Sequence, residues 1–150
     1  MLVKPGEIIV TSESRPLISI AARGVVVCLW EKVTHYAGMC CFMMPATTDP
    51  SKATGQYGNV AVVKLISMLR DFEGCGKIEA QIFGGAHKNE HDTTGEENIR
   101  IARKILTAKE IPIISEDVGG LVGRKILFDV ETGQAAVLKV HRLRKEDWGE

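Results

Sequence analysis

Apolar runs separated by short polar turns predict several strands along the chain. The strongest signal is VVVCLW followed by YAGMCCFMM, two apolar runs on either side of the polar residues 31–35. This arrangement predicts an antiparallel hairpin. Pro45 closes its second arm, because proline has no N–H to donate to a neighbouring strand. Shorter runs at residues 7–11 and 17–20 predict two further strands before the hairpin.

Two later segments carry apolar residues at helical spacing. The first runs from about residue 59 to 72, and Asn59 can cap its start. The second begins at Thr94, where Thr94-x-x-Glu97 has the form of a capping box, and it ends before Pro112. The apolar stripes consist of Val62, Leu65, Ile66 and Leu69 in the first helix, and of Ile99, Ala102, Ile105 and Leu106 in the second.

The remaining apolar segments complete an α+β pattern. Residues 77–83 alternate between polar and apolar side chains, residues 113–114 begin a short strand, and residues 124–130 and 134–140 form a second hairpin with Gly133 in its turn. This gives about seven strands, with both helices in the middle of the chain. We therefore expect one domain over residues 1–150, with a layered, mostly antiparallel β-sheet and two α-helices packed on one face. Its core should run from about residue 7 to 140, followed by a charged tail over 141–150.

Composition and charge narrow the choice of partner. The chain has 150 residues, of which 45% are hydrophobic, enough for one buried core. Lys plus Arg and Asp plus Glu number 19 each, so no net field favours nucleic acid or an anionic membrane. No apolar run is long enough to span a bilayer, and the first residues lack the features of a secretory signal. We expect a cytoplasmic protein, not inserted in a membrane, whose partner is a protein or a small molecule.

Four cysteines raise the question of thiol chemistry. Cys28, Cys40, Cys41 and Cys75 lie in or beside apolar runs, and no two of them form a C-x-x-C pair. In a reducing compartment, cysteines in such runs usually serve as small buried apolar residues. Packing is therefore the first interpretation of all four.

Two other motifs have the form of a ligand site. His87-x-x-x-His91 is followed by Asp92, but no further strong ligand lies nearby, so we interpret this segment as a solvated polar loop. Gly119 and Gly120 resemble a phosphate-binding turn, but a strand follows them where such a site needs a helix N-terminus. We expect no metal and no cofactor.

Six segments in order resemble one known family over about residues 7–140. They are GVVVCLWE, AGMCCFMMP, QYGNVAV, AQIFGGA, TGEENI and EDVGGLVGRKILFDVETG, of which IFGGA and DVGGLVGRKILF are the most specific. The chain resembles CheD, the chemoreceptor glutamine deamidase family of bacterial chemotaxis. The resemblance implies a hydrolase that converts receptor glutamines to glutamates and also binds the phosphatase partner CheC. It further implies a nucleophilic cysteine, a histidine and an upstream threonine.

The chain departs from the family at these reactive positions. Matched segment by segment, the nucleophile position falls on Gly24, the histidine position on Cys41, and the threonine position on or near Ile18, with Ser19 adjacent. If the hairpin turn closes residue 31 against residue 36, Val26 lies opposite Cys41 and position 24 one diagonal step away on the same face. The two substituted positions should therefore be neighbours.

Neither substitute supports the family's chemistry. Glycine has no nucleophile, and a thiol in place of imidazole gives no base with a pKa near neutral pH. We therefore expect a non-catalytic homologue, a pseudoenzyme in signal transduction, that binds chemoreceptor cytoplasmic helices or a CheC-like protein. The alternative is an active protein-glutamine deamidase with a rearranged centre, in which Cys28 or Cys41 is the nucleophile. His35 lies in the hairpin turn, too far along the strand to serve as its base.

The partner-binding surface is predicted from exposed loops and the IFGGA motif. The candidate contact residues are Tyr57, Phe83, Gly84, Gly85 and Ala86, together with the hairpin tips and the polar loop 46–58. If Phe83 contacts a partner, Phe83→Ala weakens binding more than stability, whereas a core position would show the reverse.

Overall fold

The computed structural model describes residues 1–140 and contains eight strands and two α-helices in this range. The tail predicted at 141–150 lies outside the described residues. The strands are β1 (Ile8–Thr11), β2 (Leu17–Ala21), β3 (Val25–Glu31), β4 (Ala37–Phe42), β5 (Ile78–Gly84), β6 (Ile113–Val118), β7 (Gly123–Phe128) and β8 (Ala135–Val140). The helices are α1 (Gly58–Arg70) and α2 (Thr94–Ala108).

The strands form two sheets. The larger has the order β1-β4-β3-β5-β6, and the smaller has the order β2-β7-β8. All pairs are antiparallel except β5–β6, which are parallel because α2 carries the chain across between them. The expected α+β class, mostly antiparallel with two helices, is confirmed. The division into two sheets is not visible in the sequence pattern.

The large sheet is buried on both faces. Val25, Val27 and Leu29 of β3 pack with the helices in one apolar cluster. Val26 and Cys28 of the same strand pack with the small sheet in a second cluster. A central strand covered on both sides needs apolar residues at every position, which explains the unbroken VVVCLW run.

The packed region extends to the first residues. Val3 is fully buried, and its N–H donates to the carbonyl of Ile18 at 2.7 Å. The Ile18 N–H in turn donates to the carbonyl of Met1 at 2.8 Å. The packed core thus includes residues before position 7, the point at which the sequence pattern placed its start. Neither helix between residues 1 and 140 has the length and apolar character needed to cross a bilayer.

Both predicted helix caps are wrong. The Asn59 side chain bonds the backbone N–H and carbonyl of Thr47, at 3.1 and 2.8 Å, so it fixes the preceding loop and does not cap α1. Thr94 is the first residue of α2 rather than its cap, and the N-cap Thr93 makes no side-chain cap bond. The Thr94-x-x-Glu97 spacing is therefore not a capping box here.

Candidate functional site

Positions 24 and 41, to which the sequence resemblance assigns the family's nucleophile and histidine, lie close together at the open end of the β3–β4 hairpin. Val26 is paired with Cys41, which confirms the predicted register. Gly24 comes just before β3 and borders the residues that follow Cys41. A Cβ atom added to Gly24 would lie 2.7 Å from Met43 Sδ and 2.8 Å from the Phe42 carbonyl oxygen. A cysteine at this position therefore requires the Met43 side chain and the adjacent backbone to move.

The IFGGA motif holds the backbone at Gly24. The Gly85 N–H donates to the Gly24 carbonyl at 2.8 Å. Gly84 and Gly85 have φ values of 106° and 71°, in the left-handed region that favours glycine. A Cβ on Gly84 would collide with the Gly24 carbonyl oxygen. The motif thus permits a close approach between the end of β5 and the start of β3.

Cys41 lies in the core between the two sheets and has no solvent exposure. Its Sγ points towards the Ile20 carbonyl, 3.9 Å away. Burial raises the pKa of the thiol from 9.0 to about 12, and a hydrogen bond with Ser19 offsets only part of this rise. The thiol at position 41 is therefore in its protonated form near pH 7, which is a weak nucleophile.

The hydroxyl nearest to Cys41 belongs to Ser19 and not to residue 18. Ser19 is fully buried, and its Oγ donates to the Val3 carbonyl at 2.6 Å. Ile18 pairs with Leu127, and strand alternation places its side chain on the opposite face of the small sheet. Of Ile18 and the adjacent Ser19, the residues expected at or beside the upstream threonine position, only Ser19 thus places a hydroxyl beside Cys41.

The other cysteines show no sign of activation. Cys28 shares the inter-sheet cluster with Cys41, whereas Cys40 packs on the helix side of the large sheet. Burial raises the pKa of both, and the neighbouring Cys40 adds to the effect on Cys28. Cys75 is partly buried between α1 and β5, and burial raises its pKa too. A reactive cysteine normally has a lowered pKa and access to solvent.

Within the hairpin, no histidine lies where it could act as a base for these thiols. His35 lies in the turn between β3 and β4, as predicted, and its ring stacks on Trp30 with 4.8 Å between centroids. His87 and His91 belong to the loop before α2. Within residues 1–140, no group of three or more His, Cys, Asp or Glu side chains is arranged to hold a metal ion.

The IFGGA residues predicted as a contact surface are buried. Phe83 is 2% exposed and packs in the inter-sheet cluster, because β5 pairs it with Val26 in the centre of the large sheet. Gly84, Gly85 and Ala86 are also buried. Their burial corrects the expected contact role: Phe83 has the environment of a core residue. Tyr57 remains partly exposed at the end of the mostly exposed loop that precedes α1.

Asn98 is a site residue that the sequence interpretation missed. Its side chain is fully buried, and Nδ2 donates to the carbonyls of Arg23 at 2.9 Å and Met43 at 3.0 Å. It therefore ties α2 to both chain segments that carry the substituted positions. The available signal was a polar residue on the apolar stripe of the helix, four positions before Ala102.

Comparison with known proteins gives a consistent picture. The family profile described as CheD chemotactic sensory transduction matches residues 43–139, beginning just after the end of β4. A "Probable chemoreceptor glutamine deamidase CheD" from Sulfurimonas denitrificans is 34% identical over 125 residues, which cover 79% of this chain and 80% of the relative. "Probable chemoreceptor glutamine deamidase CheD 1" from Anaeromyxobacter dehalogenans is 31% identical over 137 residues, covering 88% and 80%. A "Probable chemoreceptor glutamine deamidase CheD" from Stenotrophomonas maltophilia is 33% identical over 140 residues, which cover 91% of this chain and 71% of the relative.

Proposed function

The chain belongs to the CheD family, and we propose that within this family it acts as a binding protein without deamidase activity. The observation that carries this proposal is the pair of substituted positions. Gly24 has no side chain, and Cys41 is a buried, neutral thiol. The two adjacent positions therefore hold no nucleophile and no base.

Deamidation by a cysteine route needs three elements: a thiolate to attack the carboxamide carbon, a base to form that thiolate and protonate ammonia, and donors for the oxyanion. Residues of this kind act as a unit, so the loss of two removes the covalent route. Cys28 and Cys41 are poor replacements, because both are fully buried and burial raises the pKa of both. An active centre built on either thiol would require the two sheets to part.

The backbone around positions 24 and 41 is held in place by neighbouring elements. Asn98 fastens α2 to the hairpin, and the Gly84–Gly85 turn approaches Gly24. We propose that this scaffold binds the cytoplasmic helices of a chemoreceptor, the class of protein on which the relatives are named to act. A CheC-like phosphatase is the second proposed partner. A protein that binds the cytoplasmic helices of a receptor acts in the cytoplasm, so we also propose a cytoplasmic location.

The intact mass of a receptor fragment tests the proposal directly. The chain is incubated with a purified chemoreceptor cytoplasmic fragment, and conversion of glutamine to glutamate is followed by mass spectrometry, with binding measured in parallel by calorimetry. We expect binding without a change in mass. Conversion that disappears in Cys28→Ala or Cys41→Ala would overturn the proposal in favour of a rearranged cysteine centre.

A restored variant provides the matched comparison. Gly24→Cys combined with Cys41→His returns both family groups to their positions. Because a Cβ at position 24 meets Met43 and Phe42, a third change, Met43→Ala, makes room on the side-chain side. Activity in this triple variant, with none in the parent or in Met43→Ala alone, would show that the groups at positions 24 and 41 account for the loss.

A further inference from the structure

The turn of the β3–β4 hairpin holds a buried carboxyl group with one unpartnered oxygen. Glu31, the last residue of β3, has no solvent exposure. Its Oε1 accepts hydrogen bonds from the backbone N–H groups of Val33 at 2.5 Å and Thr34 at 3.3 Å. Its Oε2 is buried and has no hydrogen-bond partner among residues 1–140. Buried charged groups are normally paired or bound to a metal ion, so Oε2 is an open position for a cationic ligand.

Cys75 lies beside this carboxyl group, in the connection between α1 and β5. Thr34 links the two, because its N–H donates to Glu31 and its Oγ1 lies 3.7 Å from Cys75 Sγ. Burial raises the pKa of the Cys75 thiol, the hydrogen bond with Thr34 lowers it, and the charge of Glu31 raises it further. One charge shifts the pKa of another group in this way only when the two lie close together. The other three cysteines are buried, whereas Cys75 is partly exposed and accessible to a ligand from solvent.

A thiol next to an unpartnered carboxyl oxygen matches the chemistry of a borderline-soft divalent cation. Cysteine sulfur and carboxylate oxygen are both ligands of Zn²⁺. A bound dication displaces the thiol proton, and its charge offsets the repulsion between the resulting thiolate and the carboxylate. One cation would therefore provide a partner for Glu31 Oε2 and ionise Cys75 at the same time.

We propose that Glu31, Thr34 and Cys75 form a binding site for Zn²⁺ or a cation of similar chemistry, an inference independent of the proposed partner binding. Cys75 Sγ and Glu31 Oε2 are the charged ligands, and Thr34 Oγ1 orients the sulfur. On binding, the S–H bond of Cys75 breaks, a bond from sulfur to the metal forms, and the proton goes to solvent.

The proposed site differs from a structural zinc site in its number of protein ligands. A structural site has four. Here two charged ligands are present, in agreement with the lack of any suitable group of three His, Cys, Asp or Glu side chains within residues 1–140. Water fills the remaining coordination positions, so the metal exchanges with solvent. The bound ion connects the hairpin turn to the α1–β5 connection, which are 41 positions apart between Thr34 and Cys75.

Calorimetric titration of the full, tag-free chain with Zn²⁺ tests this assignment. Cys75→Ser removes the sulfur ligand and keeps a hydroxyl beside Thr34. Glu31→Gln removes the charge and keeps an oxygen for the N–H groups of the turn. The matched control is His87→Gln with His91→Gln, which removes the two imidazoles of the loop before α2, the other candidate zinc ligands. Further probes are Cd²⁺, Ca²⁺ and Mg²⁺.

We expect the parent and the histidine control to bind one Zn²⁺ per chain with equal affinity. Release of one proton makes this affinity rise about tenfold per pH unit below the pKa of the thiol. Cys75→Ser and Glu31→Gln should each bind at least about tenfold more weakly. Ca²⁺ and Mg²⁺, which prefer sites made only of oxygen ligands, should not bind.

Two further measurements locate the metal. Cd²⁺ should give the parent a thiolate-to-metal charge-transfer absorption in the ultraviolet that Cys75→Ser lacks. Zn²⁺ should raise the urea midpoint of the parent but not that of Cys75→Ser, because a ligand of the folded state stabilises it. Thr34→Val removes only the hydroxyl beside Sγ and should weaken Zn²⁺ binding, which keeps the test open if Glu31→Gln does not fold.

Several results would overturn the inference. Equal Zn²⁺ affinity in the parent and Cys75→Ser would do so, and loss of that binding in the histidine control would identify an adventitious ion only. A cadmium–thiolate absorption that persists in Cys75→Ser would place the metal on another cysteine. Binding that requires Cys75 but is unchanged in Glu31→Gln and Thr34→Val would remove the hairpin turn from the site. Failure of the parent to bind Zn²⁺ would reject the site and leave the proposed partner binding unaffected.

Discussion

At the scale of single residues, position 41 shows how surroundings decide what a thiol can do. The family chemistry requires an ionisable group that changes protonation near neutral pH. Cys41 lies between two sheets, where the charged thiolate loses its hydration, and the pKa rises from 9.0 to about 12. The same residue type at a helix N-terminus or beside a cation would have the opposite shift. Packing, and not residue type alone, makes this sulfur inert.

The raised pKa of Cys41 predicts a loss of stability in alkali. Its folded-state pKa lies above the unfolded value, so the contribution is complete below pH 9 and is lost as the pH rises towards 12. One such group contributes at most about 1.4 kcal/mol per pH unit to the slope of the unfolding free energy. We expect Cys41→Ala to be less stable at pH 7 but to lose stability more slowly between pH 9 and 11.

Urea unfolding at several pH values measures this slope. Cys75→Ala is the matched control, because Cys75 is partly buried and should change the slope less. Tyrosine and lysine also titrate in this range, but they are common to all the proteins compared. An unchanged slope in Cys41→Ala would contradict the prediction.

At the scale of elements, the hairpin was the most predictable part of the fold. Its register followed from the turn at residues 31–35, because one fixed pair in an antiparallel ladder fixes all the others. The position of Phe83 did not follow in the same way. Alternation gives the face on which a side chain lies, but not which element covers that face. The pairing of Phe83 with Val26, and the small sheet above it, depend on contacts distant in sequence.

The candidate site could also be predicted only in part, because some of its contacts join elements that are distant in sequence. The nearness of Gly24 to the end of β4 follows from the register, which the sequence contains. The contribution of α2 does not, because Asn98 reaches Arg23 across 75 positions of sequence. The sequence left the upstream position open between Ile18 and the adjacent Ser19, and a difference of one residue reverses the face of the strand. The local sequence pattern gives the least information about side-chain contacts between elements.

Asn98 should matter more than an ordinary polar residue on a helix. Asn98→Ala removes a fully buried amide and leaves the partly buried carbonyls of Arg23 and Met43 without this donor, which costs about 1–3 kcal/mol. The loss should be larger than that from Asn59→Ala, whose side chain bonds the backbone of Thr47 in a partly exposed loop. Urea midpoints compare the two variants.

Hydrogen exchange distinguishes a local from a general effect of Asn98→Ala. Amides near residues 22–24 and 43–45 should exchange faster than the decrease in global stability requires, because α2 no longer holds them. Equal midpoints for the two asparagine variants, or exchange that increases evenly over the chain, would show that this contact does not position the site.

At the scale of the whole molecule, Arg124 joins the two sheets. It lies in β7 of the small sheet and is 2% exposed. Its guanidinium donates to Asp117 at 3.1 Å and to the carbonyls of Gly119 at 2.8 Å and Gly84 at 3.5 Å. These acceptors lie at the ends of β6 and β5 in the large sheet. A single buried cation thus satisfies acceptors at the ends of two strands of the other sheet, and the Gln81–Gly133 and Trp30–Val130 hydrogen bonds add further polar links between the sheets.

This arrangement predicts unequal effects for two arginines that each pair with a carboxylate of β6. Arg124→Met removes the side-chain donor to the Gly119 carbonyl and leaves Asp117 with only Lys139, 3.9 Å away, and it should lower the unfolding free energy by about 3 kcal/mol. Arg103→Met removes the exposed pair with Glu116, for which less than about 1 kcal/mol is expected. Urea unfolding at low and high salt measures both losses. In high salt, only the unfolding free energy of the Arg103 variant should approach that of the parent, because salt screens exposed ion pairs. Similar losses for the two variants would mean that packing between the sheets, and not Arg124, holds the small sheet over the substituted site.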